Sequence, residues 1–330
     1  MQRFALIGAG FIGSLHARNL FRHSNVSLDF IADIDVEKAQ ALAAEHGALA
    51  ISIDEVFTTE IDAVLIASST PTHADYVERA AHAGKAIYCE KPIDLDTRRA
   101  EQAVTAVREA GVPLMIGFNR RFDESHAALK EVAMTGELGK IELVQMTCRS
   151  QETPPMAYIK ASGGQMRDQA IHFFDLLCWL TDDVPVEVHV TGAALSDPSI
   201  GEAGDVDTSI ATLRMASGAL VQIDCTRRTG YGYDERVELF GAEGMAESQR
   251  QPHRHLSIYK GSEQISDGLH ADWLKRIEPT FYAALDTFVR GLDGEQVDYP
   301  NAGAALRAQR IADAATKSLQ TRMPVTLTWD

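Results

Sequence analysis

The chain opens with Phe4-Ala5-Leu6-Ile7-Gly8-Ala9-Gly10-Phe11-Ile12-Gly13, a buried-strand pattern that runs into three spaced glycines and then into a helical stretch. Gly8 permits the tight turn from strand to helix, Gly10 has no Cβ to block a pyrophosphate, and Gly13 lets the helix lie close to its strand. The unpaired N–H groups at the start of such a helix attract phosphate. The stretch therefore predicts a dinucleotide-binding site.

An acidic residue about twenty positions after the last glycine indicates which dinucleotide binds. Asp33 ends a second apolar run, where a carboxylate can accept hydrogen bonds from both ribose hydroxyls of an adenosine. Its charge repels a 2′-phosphate, and Ile34 supplies no compensating charge. The pattern favours NAD over NADP, and we expect Phe11 and Ile12, which lie between the glycines, to contact it as well.

Composition and charge limit the possible partners. The chain has 330 residues, enough for two domains, and 45% of them are hydrophobic, as in ordinary globular proteins. A formal net charge of −16 argues against nucleic acid and anionic membranes as partners. A core strand beginning at Phe4 leaves no room for a signal peptide, and no apolar run approaches membrane-spanning length.

The cysteine content indicates a reducing compartment. Four cysteines lie far apart and match no metal or redox spacing, namely Cys89, Cys148, Cys178 and Cys225. We therefore expect reduced thiols, no bound metal and a cytoplasmic location.

The first half of the chain alternates between strand and helix patterns. Apolar runs predict strands at Phe4–Ile7, Leu28–Ala32, Ala63–Ala67, Ala86–Cys89 and Pro113–Ile116. Alanine-rich stretches predict helices at Ser14–Arg22, Val36–Glu45, Ala74–Ala83 and Thr97–Ala110. This alternation is typical of the α/β class, here a doubly wound parallel sheet over residues 1–119, which binds ligands at the carboxyl ends of its strands.

One such strand end is followed by a short polar loop. After Ala67 we expect Ser69 and Thr70 to close over the cofactor, with Thr72 as the N-cap of the next helix. His73 could contact the cofactor, and a histidine that starts a helix and faces solvent is an equally good interpretation.

A second strand end carries a cation. Lys91 follows Glu90 and precedes Pro92, and the proline holds the lysine backbone extended. This arrangement fixes the direction of a long cationic side chain in the ligand crevice. A surface lysine beside a turn proline explains the pattern equally well.

The second half has a different pattern, with consecutive strands. Strands are predicted at Ile141–Cys148, Val186–Val190, Ser209–Met215, Leu220–Cys225 and Arg236–Phe240, and helices at Gln165–Leu180, Pro279–Arg290 and Ala302–Leu319. Consecutive strands imply a largely antiparallel sheet in an α+β domain. The boundary falls near Asn119–Phe122, which gives a second domain over residues 120–330.

The helix predicted at Gln165–Leu180 carries a candidate proton acceptor. Asp168 and His172 are four residues apart, so they share one face of a helix, and Asp175 lies close to that face. A carboxylate can orient a histidine and tune it to accept a proton near neutral pH. The alternative is a half-buried histidine stabilised by a neighbouring aspartate. The dinucleotide site favours the catalytic interpretation, because NAD takes a hydride and leaves the hydroxyl proton to the protein.

Several strings, in this order along nearly the whole chain, resemble the family of glucose–fructose oxidoreductase, inositol dehydrogenase and rhizopine catabolism protein (Gfo/Idh/MocA). They are the glycine-rich start, Glu90-Lys91-Pro92, Gly117–Asp123, Tyr158-Ile159-Lys160, Gly163-Gly164 with Asp168 and His172, and Gly230–Glu238. The similarity is greatest to the inositol 2-dehydrogenases of that family.

The resemblance implies roles for particular residues. It implies a Rossmann domain followed by an open-faced α+β sheet domain, and a homodimer or homotetramer. By it, Lys91 holds the reacting hydroxyl, and its bond to Pro92 is cis. Asp168 and His172 form the pair that binds substrate and transfers the proton. The resemblance also assigns Glu90 to the cofactor, and the side chains of Asn119 and Tyr233 to the substrate.

One loop departs from the family's pattern. The inositol dehydrogenases carry Arg-Asp-Pro before a proline pair, and the aspartate reaches a substrate hydroxyl. This chain instead has Arg149-Ser150-Gln151-Glu152-Thr153-Pro154-Pro155, where Gln151 or Glu152 could substitute for the aspartate. Phe173 also replaces the usual acid after the helix histidine. We expect these changes to alter the recognition of hydroxyl groups and to leave the hydride chemistry intact.

These observations lead to one main hypothesis and its rivals. The main hypothesis is an NAD-dependent dehydrogenase that oxidises a secondary alcohol of a cyclitol or sugar, with His172 as base, Asp168 as its orienting partner and Lys91 stabilising the developing alkoxide. An aldose (pyranose) 1-dehydrogenase or a reductase fits the same residues. A catalytically silent NAD-binding sensor is a rival of another class, and it has no need of Lys91 together with the Asp–His pair.

The assignment of Asp33 generates a prediction about cofactor choice. Asp33→Ser should narrow the preference for NAD, because a hydrogen bond to a charged group contributes roughly 1.5–3 kcal/mol. The measurement is kcat/KM with NAD and with NADP for both forms of the chain. Comparable efficiency with the two cofactors in the unmodified chain would contradict the assignment.

Overall fold

The computed structural model describes residues 1–329 and divides into two units. The first unit is Met1–Asn119 with Thr280–Arg307, and the second is Arg120–Pro279 with the described residues from Ala308 onward. The division after Asn119 coincides with the predicted boundary, whereas residues 280–307 group with the first unit and not with the predicted second domain. The reason is aromatic packing within the first unit, where the ring of Phe288 lies 6.3 Å from that of Phe4 and 5.8 Å from that of Tyr88.

The first unit has the predicted alternation of strands and helices. Its strands are β1 Gln2–Ile7, β2 Val26–Ala32, β3 Leu49–Ala50, β4 Ala63–Ile66, β5 Ala86–Cys89 and β6 Leu114–Ile116. Its helices are α1 Phe11–Arg22, α2 Val36–His46, α3 Ile53–Val56, α4 His73–His82 and α5 Thr97–Ala110. Short 3₁₀ turns occupy Thr70–Thr72 and Asn119–Phe122. The elements β3 and α3 are too short for a periodicity and were not predicted.

The six strands form one parallel sheet in the order β3-β2-β1-β4-β5-β6. The strand β1 lies between β2 and β4, and residues Phe4–Ile7 are at most 1% exposed. The order reverses beside β1, which is the switch point where such sheets bind ligands. The predicted doubly wound parallel sheet is confirmed.

The turn between β1 and α1 is too close for any residue but glycine at two positions. Gly8 has φ +111°, and a Cβ built on it would lie 2.4 Å from the backbone oxygen of Ala67. A Cβ on Gly13 would lie 1.9 Å from the backbone oxygen of Gly8. Gly10 has φ −80° and no atom within 4 Å of its Cβ position. Gly8 and Gly13 are therefore required by packing, whereas Gly10 keeps a space open.

The second unit is built on a seven-stranded sheet. Its strands are β7 Ile141–Arg149, β8 Pro185–Ala193, β9 Thr208–Met215, β10 Leu220–Thr226, β11 Asp234–Gly241, β12 Gly244–Glu247 and β15 Val325–Thr326, with a separate hairpin of β13 Ser257–Lys260 and β14 Glu263–Ser266. The helices are α6 Glu124–Thr135, α7 Met156–Ala161, α8 Ile171–Thr181 and α9 Pro198–Glu202, whereas α10 Trp273–Leu292 and α11 Ala302–Thr321 each have residues in both units.

The large sheet has the order β12-β11-β7-β10-β9-β8-β15. Every neighbouring pair is antiparallel except β7 with β10, which is parallel. The predicted largely antiparallel sheet is confirmed, with one parallel pair that consecutive strands do not imply. Within residues 1–329, no helix is both long and apolar enough to cross a membrane.

The glycine turn generates a matched pair of predictions. Gly13→Ala should lower the midpoint of thermal unfolding, because its Cβ cannot be accommodated without moving α1 away from β1. Gly10→Ala should leave that midpoint within a few degrees of the unmodified chain, since its Cβ meets open space and its φ suits alanine. Gly10→Ala should instead weaken NAD binding, measured by titration. An equal loss of stability in the two variants would contradict this division of roles.

Candidate active site

The carboxyl end of β1 fits a dinucleotide. Gly10 leaves open space at the start of α1, a helix of twelve residues whose first turn has no acidic side chain. Asp33 follows β2, and its carboxylate accepts hydrogen bonds from the backbone N–H of Ala9 at 2.6 Å and of Asp35 at 2.8 Å. These bonds fix the carboxylate beside the glycine turn. This geometry leaves room for a dinucleotide, and the contacts of Gly8, Gly10, Gly13 and Asp33 with it stay predictions.

The loop after β4 is tied down by its own side chains. The hydroxyls of Ser68 and Thr72 lie 2.7 Å apart, and Thr72 also donates to the backbone oxygen of Ser69 at 2.8 Å. Thr72 occupies the predicted N-cap position of α4, but its hydroxyl bonds to this loop and does not cap the helix. Contacts of Ser69 and Thr70 with the cofactor stay predictions.

His73 is buried, so the interpretation as a solvent-facing histidine is wrong. The residue is 2% exposed. Its Nδ1 lies 2.8 Å from the backbone oxygen of Pro92, and its Nε2 lies 3.0 Å from that of Ser68. The ring therefore connects the segment after β4 to the segment after β5. A direct contact of His73 with the cofactor stays a prediction.

Lys91 lies where β5 ends, and its bond to Pro92 is cis, as the resemblance implied. The preceding residue, Glu90, places one carboxylate oxygen 2.8 Å from the Nε2 of His16, a fully buried residue of α1. A Cβ on Gly117 would lie 2.7 Å from the other oxygen of Glu90. The carboxylate of Glu90 is thus held between α1 and the end of β6, and its contact with the cofactor stays a prediction.

The helix that carries the candidate base is irregular. A π-helical turn spans Met166–Ala170 and continues directly into α8. The sequence pattern predicts one continuous α-helix here. Single π turns inside helices are rare and occur often at functional sites. Asp168 lies in the π turn, and His172, which is 9% exposed, lies in the first turn of α8.

The carboxylate of Asp168 is held at both oxygens. The hydroxyl of Tyr158 donates to Oδ1 at 2.7 Å, and Nη1 of Arg227 donates to Oδ2 at 3.1 Å. Tyr158 lies in α7, and Arg227 follows the end of β10. Two separate segments therefore determine the orientation of this carboxylate.

Asp175 pairs with an arginine of another segment. It is 2% exposed, and both its oxygens accept hydrogen bonds from the guanidinium of Arg121. This bidentate pair joins α8 to the turn at Asn119–Phe122. It gives Asp175 a structural role.

Tyr233 belongs to a buried network of charged groups. Its hydroxyl accepts from Nη2 of Arg120 at 3.0 Å and donates to the carboxylate of Glu235. Burial raises the pKa of Tyr233 well above its ordinary value, so it stays a neutral hydroxyl. Burial opposes the ionisation of Glu235, but the positive charges of Arg120, His126 and Arg276 outweigh burial and lower its pKa. A contact of Tyr233 with substrate stays a prediction.

The remaining candidate residues differ in exposure. Asn119 is 1% exposed and donates from its amide to the hydroxyl of Thr280 at 2.8 Å. Gln151 is half-buried, and Glu152 is exposed. Phe173 is fully buried, so its ring fills the core. Substrate contacts of Asn119 and Gln151 stay predictions.

Three residues beside the candidate groups were not assigned roles in the sequence. His16, Tyr158 and Arg227 contact Glu90 or Asp168 from distant parts of the chain. Arg227 stands beside Arg228 after a strand, a pattern typical of a solvated surface. Tyr158 belongs to a string that resembles the inositol dehydrogenases, but the string indicates no partner for its hydroxyl. Because these contacts span between 10 and 74 positions, no local periodicity indicates them.

Two relatives cover almost the whole chain. An inositol 2-dehydrogenase from Rhizobium meliloti (strain 1021) is 37% identical over 98% of this chain and 99% of its own length. A myo-inositol 2-dehydrogenase from Thermotoga maritima is 34% identical over 99% of this chain and 98% of its own length. Among solved structures, a myo-inositol dehydrogenase from Corynebacterium glutamicum superposes with a TM-score of 0.94 at 36% identity and covers 100% of both chains.

Two family models match the chain, one in each unit. Residues 2–118 match the model of the oxidoreductase family with an NAD-binding Rossmann fold. Residues 126–247 match the GFO/IDH/MocA C-terminal domain. Both matches agree with the resemblance found in the sequence and with the glycine turn at the end of β1. The chain belongs to the GFO/IDH/MocA family of NAD-binding oxidoreductases.

Proposed function

We propose that this protein is an NAD-dependent dehydrogenase that oxidises a secondary alcohol of a cyclitol or sugar to a ketone. The observation that carries the proposal is the fixed carboxylate of Asp168 in the same helical segment as His172, in a chain whose other unit has a dinucleotide-binding turn. The relatives named as inositol dehydrogenases support a cyclitol as the substrate.

Each candidate residue has a separate role in the proposed reaction. The glycine turn and Asp33 would hold NAD, which would accept the hydride from the carbon that bears the hydroxyl. His172 takes the hydroxyl proton, because neutral imidazole accepts a proton near neutral pH. Asp168 orients His172 and accepts a hydrogen bond from a substrate hydroxyl. Lys91 stabilises the negative charge that develops on the substrate oxygen, an interaction that is strongest in the transition state.

The choice of substrate depends on the loop before α7. Gln151 or Glu152 would substitute for the aspartate that the family's inositol dehydrogenases carry. The amide of Gln151 can donate or accept hydrogen bonds, whereas an ionised Glu152 can only accept them. We propose myo-inositol as the first compound to try. An aldose (pyranose) oxidised at its anomeric carbon, or a reductase working in the reverse direction, would use the same Lys91, Asp168 and His172.

We also propose that the protein is a homo-oligomer, a dimer or a tetramer. The register of the large sheet aligns Met245, Phe240, Leu143 and Leu220 in one row across four strands. Three of them are 51%, 42% and 50% exposed, in the order Met245, Phe240 and Leu220. An apolar row of this kind on a sheet face is typical of a protein–protein interface.

The cytoplasmic location also stays a prediction, and all four cysteines are free thiols.

The catalytic proposal is tested with a panel of polyols. NADH absorbance should rise when the protein is mixed with NAD and myo-inositol, its isomers or aldoses at mildly alkaline pH. His172→Ala should lower kcat by about 10²–10⁴-fold, the usual contribution of a positioned base, and should barely change NAD binding. Near-normal turnover in this variant would move the role of base to Lys91. Full NAD binding with no turnover on any compound would favour the catalytically silent NAD-binding sensor.

The oligomer is tested by light scattering in solution. Leu220→Glu should reduce the measured mass towards that of one chain, because it places a charge in the apolar row. Leu195→Glu is the matched control, since Leu195 is 72% exposed and lies outside the sheet. A monomeric mass for the unmodified chain would contradict the proposal.

A further inference from the structure

Arg227 is the most deeply buried cation beside the proposed catalytic groups. The residue is 2% exposed, although it follows directly after β10 and is adjacent to the exposed Arg228. Its backbone N–H donates to the backbone oxygen of Asp207 at 2.8 Å, which fixes the start of the side chain. A buried guanidinium is costly unless carboxylates pair with it.

Two carboxylates share the fork of this guanidinium. Nη1 donates to Oδ2 of Asp168 at 3.1 Å, and Nη2 donates to Oδ2 of Asp205 at 3.3 Å. The guanidinium is planar, rigid and always charged, so its two terminal nitrogens, Nη1 and Nη2, can only move together. Arg227 therefore sets the position of Asp168 relative to Asp205.

Asp205 is itself tied to the beginning of the irregular helix. Its Oδ1 accepts from the backbone N–H of Gln165 at 2.9 Å, directly before the π turn. A Cβ on Gly164 would lie 3.1 Å from the same oxygen, so the glycine lets the carboxylate approach. Arg227 thus links the backbone that starts the π turn to the carboxylate that the turn presents.

We propose that Arg227 is the positioning residue of Asp168, which it holds as an oriented carboxylate that accepts hydrogen bonds from a substrate hydroxyl. This inference rests on the proposed function. An ionised carboxylate only accepts hydrogen bonds, so the held Asp168 selects a hydroxyl donor. The other oxygen of Asp168, Oδ1, accepts a hydrogen bond from the hydroxyl of Tyr158, a residue that is 48% exposed. Arg227 consequently provides the buried and fixed contact, and Tyr158 the solvent-facing one.

A double-mutant cycle tests the inference on the full chain. The variants are Arg227→Met, Asp168→Asn and the two combined, assayed with NAD and myo-inositol or the best compound of the panel. Arg227→Met should lower kcat by about 10²-fold, because a displacement of about 1 Å can cost that much. In the Asp168→Asn background the same change should lower kcat by less than about 3-fold, since the ionised carboxylate that Arg227 positions is already removed. KM for NAD should stay unchanged throughout.

Two further variants keep the test decisive. Arg227→Lys retains the positive charge but has no guanidinium to bind two carboxylates, so it should lower kcat by about 10-fold, and only when Asp168 is present. If Arg227→Met does not fold, Arg227→Lys replaces it in the double-mutant cycle. Arg167→Met is the matched control, because Arg167 lies in the same π turn but pairs with Asp313 at a distance of 2.8 Å. Its described contacts include no bond to Asp168. It should change kcat by less than about 3-fold, as partly exposed ion pairs contribute little.

The outcomes separate this inference from the proposed function. A loss from Arg227→Met of equal size with Asp168 and with Asp168→Asn would show a purely structural role and overturn the inference. Near-normal kcat in Asp168→Asn would instead overturn the role of Asp168 in the proposed function, and the inference with it. A large loss in Asp168→Asn together with a non-additive cycle would support both.

Discussion

The parallel pairing of β1 with β2 and β4 is the constraint on which the first unit depends. The register aligns Ile7 with Ala32 and with Ile66, and aligns Ile66 with Cys89. Parallel strands end at the same edge of a sheet, so the residues that follow these four positions come together. The glycine turn, the cofactor acid and the candidate lysine segment all follow such a position. One pairing pattern thus gathers groups that lie far apart in sequence.

Buried charge has the corresponding part in the second unit. Arg120, Arg121 and Arg227 are all buried, and each is paired with a carboxylate of another segment. Replacing such pairs with apolar side chains is often neutral or stabilising, so they are weak evidence for stability. What they provide is geometry, because a guanidinium fork fixes the carboxylates that it binds. In this unit the fixed carboxylates include the one proposed to act on the substrate.

Reaction type and substrate choice depend on different parts of the molecule. The proposed proton and charge transfers use Lys91, Asp168 and His172, which occur in ordered strands and helices or directly at their ends. Substrate choice is proposed to depend on Gln151 or Glu152, which lie in a loop where this chain departs from the family's pattern. Loops tolerate substitution with little effect on the core, so specificity can change while the chemistry is kept. The inositol names of the relatives therefore support a cyclitol more strongly than any particular isomer.

The sequence by itself determined the two folds, the family and the cofactor. Periodicity and glycine spacing indicate them because the responsible contacts are local: Gly8 and Gly13 act within one turn, and Asp33 follows the next strand. The sequence does not show that residues 280–307 group with the first unit. The helical patterns of α10 and α11 are continuous and would be the same whichever unit these helices packed against. Only the tertiary structure placed Arg227 and Tyr158 on Asp168, and His16 on Glu90. These pairs join segments between 10 and 74 positions apart, and such partners are chosen by the folding of the whole sheet and not by any local pattern.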